Sequence, residues 1–263
     1  MNKPSFHPPT LAIGIRLAML AILLIFAGAC ATTSPADNQL LAQKKFQEAQ
    51  KANSLNLRKE KYQKLREAIR LAPKEPIYRV ALGNVYFQDL ELDKAEKVYL
   101  SAIKADSRFI GTYRQLGRLY VQKSQWDDAL FYLNRALSQP NVIDPIQLLN
   151  WAAYSYYRKG DLSKAEQTWL KALDIHDSDQ IRLNLALVYK EAQRMDLAQA
   201  SLLKALEMNP KMLGAHFALG EIYYRNHKLA KAKKHFGEVI QLEPLSEQAK
   251  ISQEILKRIS AKK

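Results

Sequence analysis

One phrase recurs five times along the chain and constrains its fold more than any other feature. Each copy has a Tyr, eight residues, an Ala, three residues, a bulky apolar residue, two residues and a small apolar residue. The copies begin at Tyr86, Tyr120, Tyr156, Tyr189 and Tyr223, which lie 34, 36, 33 and 34 residues apart. Constant spacing inside a phrase that repeats in this way predicts a tandem array of one supersecondary unit.

The spacing inside the phrase predicts that this unit is a pair of helices. Apolar residues after each Ala recur at three and four residues, which is the period of one helix face. The Tyr lies on the first helix of the pair, helix A, and the two small residues lie on the second, helix B, where they allow a neighbouring backbone to approach. Each pair then buries its apolar face against the next pair. We therefore assign all five Tyr residues to the core.

The pattern resembles the tetratricopeptide repeat, which places Leu-Gly before the Tyr and Pro after the last small residue. The matching positions are Leu82-Gly83, Leu116-Gly117, Leu219-Gly220, Pro210 and Pro244. The departures are Ala153 and Ala186 at the Gly position, Arg182 and His216 at the usual aromatic start, and Ser107, Asn141 and Asp177 at the Pro position. The resemblance implies an all-α fold, a right-handed α-solenoid of about six helix pairs with a C-terminal capping helix.

The first 30 residues predict a targeting segment. Lys3 and Arg16 precede an apolar run from Leu17 to Phe26, which is followed by Ala-Gly-Ala-Cys at positions 27 to 30. The run is shorter than the ~20 residues that span a bilayer. It resembles the signal peptide (1–29) and lipobox of bacterial lipoproteins, which implies a lipid on Cys30.

The same resemblance implies where the protein resides. Ala31 follows the Cys where Asp would favour retention at the inner membrane, so we expect an outer-membrane lipoprotein that faces the periplasm. Two alternatives stay open: a periplasmic protein anchored in the inner membrane, and an uncleaved anchor from Leu11 to Ala29.

After the signal peptide, the chain divides into four segments. Residues 30–38 are predicted to be the lipidated Cys and a short tether, and residues 39–75 a degenerate first repeat with helices from Leu40 to Ala52 and from Leu57 to Leu71. The basic side chains of this repeat are interpreted as a solvated face or, alternatively, as a surface attracted to anionic lipid headgroups. Residues 76–246 hold the five good repeats.

Residues 247–263 are predicted to form the capping helix and tail. The helix is predicted over Leu245 to Ile259, with Leu245, Ala249, Leu256 and Ile259 on its apolar stripe.

Two further residues separate the second and third good repeats, between Gln139 and Pro145. They form either a tolerated surface insertion or a kink that divides the groove into two halves.

The sequence offers no residues for catalysis or for a cofactor. The five His residues lack metal-ligand spacing, and no Gly-rich phosphate loop or Gly-x-Ser-x-Gly elbow is present. We therefore expect no enzyme, no metal, no cofactor and no small-molecule substrate. The formal charge of +14 becomes +12 without the signal peptide, which carries two positive charges and no negative ones. Such a surface leaves polyanion binding open, although export argues against nucleic acid.

Function is predicted to reside in the concave face, which the resemblance assigns mainly to helix A positions not used for stacking. Amides there could bond a peptide backbone, and Arg with Tyr or Trp is the composition of interface hot spots. The predicted partner-binding residues are Asn84, Gln88, Arg114, Gln115, Arg118, Gln122, Asn150, Trp151, Tyr154, Tyr157, Arg158, Asn184, Lys190, Tyr224 and Arg225. For the three aromatics of the third repeat, packing between helices is an equal alternative.

Asn84 and Asn184 resemble the peptide-binding Asn residues of co-chaperone tetratricopeptide domains. Val80 and Leu183 replace polar clamp residues, so recognition of a chaperone's carboxyl terminus is not supported. The resemblance to tetratricopeptide lipoproteins of type IV pilus biogenesis, which serve as pilotins for the secretin ring, implies a lipid-anchored scaffold that binds a protein partner. Alternatives are an adaptor for cell-wall hydrolases or for outer-membrane protein assembly.

Overall fold

The computed structural model describes residues 34–54, 57–140, 142 and 144–261, and within these residues it contains thirteen α-helices and no strand. The all-α prediction is confirmed. The signal peptide and Cys30 lie outside the described residues. The chain divides into two compact units, one up to Pro73 and the other from Lys74 onward.

The described part of unit 1 contains one helix pair, α1 (Pro35–Ser54) and α2 (Arg58–Leu71). Small residues and one Leu are buried between the helices: Ala42, Ala49, Ala52, Leu65 and Ala68. Lys64 Nζ lies 2.8 Å from a Glu48 carboxylate oxygen, and Lys45 Nζ lies 3.5 Å from one of Glu67. Part of the basic character predicted to be a solvated face is therefore used to join the two helices.

The predicted tether 30–38 is wrong for its last four residues, because α1 begins at Pro35 rather than beyond Asn38. Ser34 caps this helix: its Oγ accepts a hydrogen bond from the Asp37 N–H at 3.1 Å, and Asp37 Oδ2 accepts one from the Ser34 N–H at 3.1 Å. This reciprocal capping box, followed by Pro at the first helical position, starts the helix earlier than the apolar periodicity indicated.

Unit 2 contains five helix pairs and a final helix. Its helices are α3 (Pro76–Gln88), α4 (Leu92–Ala105), α5 (Ile110–Gln122), α6 (Trp126–Leu137), α7 (Pro145–Arg158), α8 (Leu162–Ile175), α9 (Asp179–Glu191), α10 (Met195–Met208), α11 (Leu213–Arg225), α12 (Leu229–Leu242) and α13 (Glu247–Ala261). Each helix contacts its partner in the pair and the next helix along the chain. The odd-numbered helices α3 to α11 are the A helices of the repeats.

The repeated phrase forms the core of each pair. The bulky residues of the B helices, Tyr99, Leu133, Trp169, Leu202 and Phe236, are almost completely buried, as are the small residues beside them. The Gly before the Tyr is needed for close approach, because a Cβ on Gly83 would come within 2.3 Å of the Tyr99 ring. The equivalent Gly117 and Gly220 face Leu133 and Phe236 in the same way.

The turn from helix A to helix B is the same in all five repeats and explains the fixed spacing. The residue four after each Tyr has a left-handed backbone: Leu90, Ser124, Gly160, Gln193 and His227. The next residue donates its N–H back to the carbonyl of the Tyr, for example Glu91 to Tyr86 at 2.9 Å and Lys228 to Tyr223 at 2.9 Å. This is a Schellman turn, which closes the helix end over a set number of residues.

The length differences between repeats occur instead where helix B leads to the next helix A. Helix α6 ends at Leu137 and α7 begins at Pro145, with Asp144 in the left-handed region (φ 54°) before the Pro. The other connections of this kind in unit 2 are three or four residues long, such as the one between α8 and α9. The predicted insertion between Gln139 and Pro145 is therefore a longer loop between two helices.

Two core assignments need correction. Tyr156 is only half-buried, whereas the other four repeat Tyr residues are buried. Tyr120 donates its hydroxyl to Glu96 Oε1 at 2.9 Å, but the equivalent acceptor position for Tyr156 is the apolar Leu130, so its hydroxyl turns outward to Asn134 Nδ2 at 3.5 Å.

Leu245, which we placed on the stripe of the capping helix, is 91% exposed because α13 begins only at Glu247. Ala249 and Ile259 of the predicted stripe are buried, Leu256 is half-buried, and Ser252, which was not predicted, completes the buried face. Within the described residues, no helix has the length and apolar character needed to cross a membrane.

Candidate functional site

All fifteen predicted groove residues lie on the A helices of unit 2, and none of them is buried. Side chains of these helices contact one another from repeat to repeat, since Arg118 of α5 reaches Phe87 of α3 and Asn184 of α9 reaches Asn150 of α7. We call the exposed and half-buried positions of α3, α5, α7, α9 and α11 the groove face.

Two amides of the groove face are already engaged with the core. Asn84 Oδ1 accepts a hydrogen bond from the Tyr99 hydroxyl at 2.7 Å, and Asn150 Oδ1 accepts one from Trp169 Nε1 at 2.7 Å. Burial raises the pKa of Tyr99, so its hydroxyl remains a donor. Asn150 Oδ1 also accepts from Asn184 Nδ2 at 3.2 Å, which fills its two lone pairs, so a peptide would meet Asn150 through its NH₂ group, whereas Asn84 Oδ1 keeps one lone pair.

Two arginines of the groove face stack on aromatic rings. The Arg118 guanidinium carbon lies 4.3 Å from the centroid of the Phe87 ring. That of Arg158 lies 5.0 Å from the Trp126 ring, and its Nη1 donates to the Tyr154 hydroxyl at 2.8 Å. Stacking of this kind holds the planar guanidinium in place while its edge remains able to bind an anion.

The sequence analysis missed Phe87 and Trp126. Phe87 directly follows the Tyr of its repeat, the same position that Tyr157, Lys190 and Tyr224 occupy in later repeats. Its repeat position, which it shares with three predicted groove residues, could have identified Phe87 from the sequence. Trp126 begins a B helix, which the family pattern does not assign to the groove, so only the tertiary contact with Arg158 reveals its place.

In the later repeats, two carboxylates on the A helices are engaged by neighbouring groove side chains. Lys190 of α9 forms an ion pair with Glu221 of α11 at 2.5 Å, and the Tyr157 hydroxyl donates to Glu191 at 2.5 Å. Burial, followed by the Glu191 carboxylate, raises the pKa of Tyr157 to about 12. Glu191 and Glu221 were not among the predicted residues, although both face the groove.

The aromatics of the third repeat combine both predicted alternatives. Tyr157 packs 6.2 Å from the ring of Trp169, and Tyr154 meets Trp126 edge-on at 5.9 Å. Both rings remain half-buried, as does Trp151. They therefore pack between helices on one side and contribute surface to the groove face on the other.

The described residues contain no group of three His, Cys, Asp or Glu side chains that could hold a metal ion. One depression of about 200 Å³ lies beside Asn150, Gln147 and Gln180 on the groove face. This volume is below the ~300–1,000 Å³ that is usual for small-molecule sites. What the groove face offers is a long row of exposed polar and aromatic side chains.

Comparison with known proteins identifies the repeat. The sequence profile of the family described as the Cilia and flagella-associated protein 70 C-terminal domain, a tetratricopeptide-repeat family, matches residues 19–255. The chain belongs to this family. The resemblance to tetratricopeptide repeats is therefore confirmed.

Curated relatives of this tetratricopeptide chain are larger proteins. Anaphase-promoting complex subunit 3 of Schizosaccharomyces pombe is 25% identical over 189 residues, covering 70% of this chain and 28% of its own. The subunit CDC16 of the same complex from Saccharomyces cerevisiae is 25% identical over 215 residues, covering 65% of this chain. The chain thus spans 28% and 25% of the length of these two relatives.

Solved structures with the same fold are closer in size. PilF of Pseudomonas aeruginosa has a TM-score of 0.70 and 14% identity, covering 84% of this chain and 99% of its own. PilW, described as a widely conserved type IV pilus biogenesis factor, has a TM-score of 0.70 and 15% identity, covering 82% and 98%. YrrB, described as having an unusual peptide-binding site, has a TM-score of 0.60 and 19% identity, covering 72% and 97%. At these identities the likeness establishes the tetratricopeptide fold.

Proposed function

We propose that this protein is a scaffold that binds a segment of a partner protein on the groove face and thereby supports assembly of an envelope complex. The observation that carries the proposal is the pair of exposed arginines stacked on aromatic rings, Arg118 on Phe87 and Arg158 on Trp126. Exposed aromatic and Arg side chains held in fixed positions are typical of residues that dominate binding energy at protein interfaces.

The proposal places the scaffold on the periplasmic side of a bacterial outer membrane, anchored by a lipid on Cys30. It rests on the lipobox-like sequence before Cys30, which lies outside the described residues, and on α1 beginning at Pro35, five residues after that Cys. Because an extended residue spans at most ~3.6 Å, the first helix would begin within about 2 nm of the lipid.

Type IV pilus biogenesis is the pathway that we propose for this scaffold. Support comes from the size and fold shared with PilF and PilW, which this chain covers over 99% and 98% of their lengths. An adaptor for cell-wall hydrolases or for outer-membrane protein assembly would use the same groove face with another partner.

The anchor is tested by Cys30→Ala in the native cell. We expect the variant to lose incorporation of a labelled fatty acid and to leave the outer-membrane fraction, because this is the single Cys of the chain. Thr33→Ala serves as a matched control with normal labelling. Acylation that persists in Cys30→Ala would rule out the lipoprotein assignment.

Partner binding is tested with a photo-crosslinking amino acid at the exposed Gln88 of α3, and at the exposed Lys171 of α8 as the control. We expect an adduct from position 88 and none from position 171. The adduct should disappear in Arg118→Ala/Tyr154→Ala, which removes groove side chains. A secretin in the adduct selects the pilus pathway, a hydrolase selects the adaptor function, and equal adducts from both positions contradict binding on the groove face.

A further inference from the structure

The charge of the groove face is distributed unevenly along the repeats. In the later repeats, Lys190 is paired with Glu221, and Glu191 is bonded by Tyr157. In the earlier repeats, no carboxylate of the described residues pairs with Arg118 or Arg158. Two permanent positive charges thus face solvent on α5 and α7 without an acidic partner.

Both arginine side chains are restrained by contacts with aromatic rings, and these contacts leave guanidinium N–H groups available for hydrogen bonds. The guanidinium carbons lie over the rings of Phe87 and Trp126, and one N–H of Arg158 is donated to the Tyr154 hydroxyl. A guanidinium has five N–H donors in one plane, arranged to meet a carboxylate with two parallel hydrogen bonds. Because the rings already restrict the side chains, less rotamer entropy is lost when a carboxylate binds.

We propose that the part of the groove face formed by α3, α5 and α7 binds an acidic, extended segment of the partner protein, with one Asp or Glu side chain on Arg118 and another on Arg158. This inference rests on the proposed function and names the chemistry of the partner. The ligands are internal side-chain carboxylates, so the segment needs no free carboxyl terminus.

The geometry also sets the spacing of the two acidic residues. Adjacent packed helices lie about 8–10 Å apart, and an extended chain advances about 3.3 Å per residue. Arg118 lies two residues before its repeat Tyr and Arg158 two residues after its own, which adds about 6 Å along the helix axis. Carboxylates separated by about three to four residues therefore match the two arginines. The ion pair between Lys190 and Glu221 weakens the attraction for a carboxylate at α9, the next A helix, so the acidic segment ends near α7.

The test uses the full-length protein in a non-ionic detergent and a fluorescent 14-residue Gly/Ser peptide with glutamates three residues apart, acetylated and amidated at its ends. The control peptide has Gln at every Glu. We expect fluorescence anisotropy to give binding at least tenfold tighter for the Glu peptide, and we expect that binding to weaken with added salt. Equal binding of both peptides, or of neither, overturns the proposal.

Variants of the protein localise the interaction. Arg118→Gln and Arg158→Gln should each weaken binding of the Glu peptide by about tenfold, since each removes a charge-assisted hydrogen-bonded pair. Arg135→Gln is the matched control: Arg135 is exposed on the B helix α6, outside the groove face, so the same charge is removed and binding should change less than twofold. An equal loss in Arg135→Gln would mean that only net charge matters and would overturn the site.

Arg158→Lys keeps the charge but loses the planar fork, so its binding should fall between wild type and Arg158→Gln. Wild-type affinity in Arg158→Lys would overturn the role of the stacked guanidinium. Unchanged thermal unfolding of each variant shows that the fold is intact. If the peptide does not bind while the crosslink from position 88 persists, this inference fails and the proposed function stands. If neither peptide binding nor the crosslink is observed, both the inference and the proposed function fail.

Discussion

His216 and His235 form a buried hydrogen-bonded pair in the fifth repeat. Their Nδ1 atoms are 3.0 Å apart, and His216 Nε2 lies 2.9 Å from the carbonyl oxygen of Pro210. A carbonyl only accepts, so His216 carries a proton on Nε2. The hydrogen bond between the two Nδ1 atoms needs one of them unprotonated, so at least one ring of the pair is neutral, and the Tyr223 ring stacks on His235 at 5.5 Å.

This pair predicts a loss of stability in acid. Burial, followed by the charge of His216 and the nearby Lys234 and Lys231, lowers the pKa of His235 to about 4, with Glu238 opposing. The unfolded chain binds this proton near pH 6.5, so the stabilisation is complete above pH 6.5 and disappears as the pH falls to 4. The shift corresponds to about 3 kcal/mol. Urea unfolding of His235→Phe should therefore decline less steeply over this window than that of wild type.

The exposed His227 provides the control for that measurement, because His227→Gln should keep the wild-type slope. Other groups also contribute to acid unfolding, so the comparison is between slopes and not between absolute stabilities. An identical decline in His235→Phe and wild type would contradict the lowered pKa of His235.

At the scale of single elements, the Schellman turn accounts for the constant part of the repeat. Its bond from the fifth following N–H to the Tyr carbonyl recurs from Tyr86 to Tyr223 and joins helix A to helix B at one length. The connection from helix B to the next helix A has no such closure. Insertions are therefore found there, as between α6 and α7.

At the left-handed residue of each turn, introducing Gly should stabilise the protein and removing Gly should destabilise it. Leu90 has φ 59° and is 74% exposed, so Leu90→Gly should raise the free energy of unfolding by about 0.5–1 kcal/mol. Gly160 has φ 82° and open space around its Cα, so Gly160→Ala should lower it by about 1 kcal/mol. Gly237→Ala, also in open space but inside α12, should instead raise it. Urea unfolding measures all three, and the same sign for both Ala variants would contradict the account.

At the scale of the whole molecule, unit 2 is held together mainly by contacts between helices that are neighbours in sequence, with further contacts between successive A helices. Hydrogen bonds between side chains likewise join adjacent repeats, because Lys123, which follows α5, reaches Glu96 of α4, and Lys190 of α9 reaches Glu221 of α11. Stability in such an array is approximately a sum of terms for each repeat and its nearest neighbours. A substitution in one repeat should therefore destabilise mainly that repeat and the repeats next to it.

Phe236→Ala tests this locality. The side chain is fully buried, so its truncation should cost about 3–5 kcal/mol. Hydrogen exchange followed by mass spectrometry should show faster exchange in α11, α12 and α13 and unchanged protection in α3 and α4. The exposed Lys234→Ala on the same helix should change neither. Uniformly faster exchange throughout unit 2 would indicate a single cooperative unit instead.

The amino-acid sequence by itself determined the helix pairs of unit 2, their order and most of their core. Ala95, Tyr99 and Ala102 could be assigned because burial repeats with the helix period, and that period is local information. It also placed all fifteen groove candidates on the A helices. The early start of α1 was missed because a reciprocal cap at Ser34 leaves no apolar signal.

Only the tertiary structure decided which groove charges are available. Lys190 and Glu221 are 31 residues apart, and Arg118 and Phe87 are as distant, so their pairing depends on how successive repeats lie side by side. The same applies to Tyr156, since the preceding repeat presents Leu130 at the position of the Glu96 that bonds Tyr120. The helix period identifies which face of the helix a residue occupies. Which residue it contacts there is decided by how another helix packs against that face.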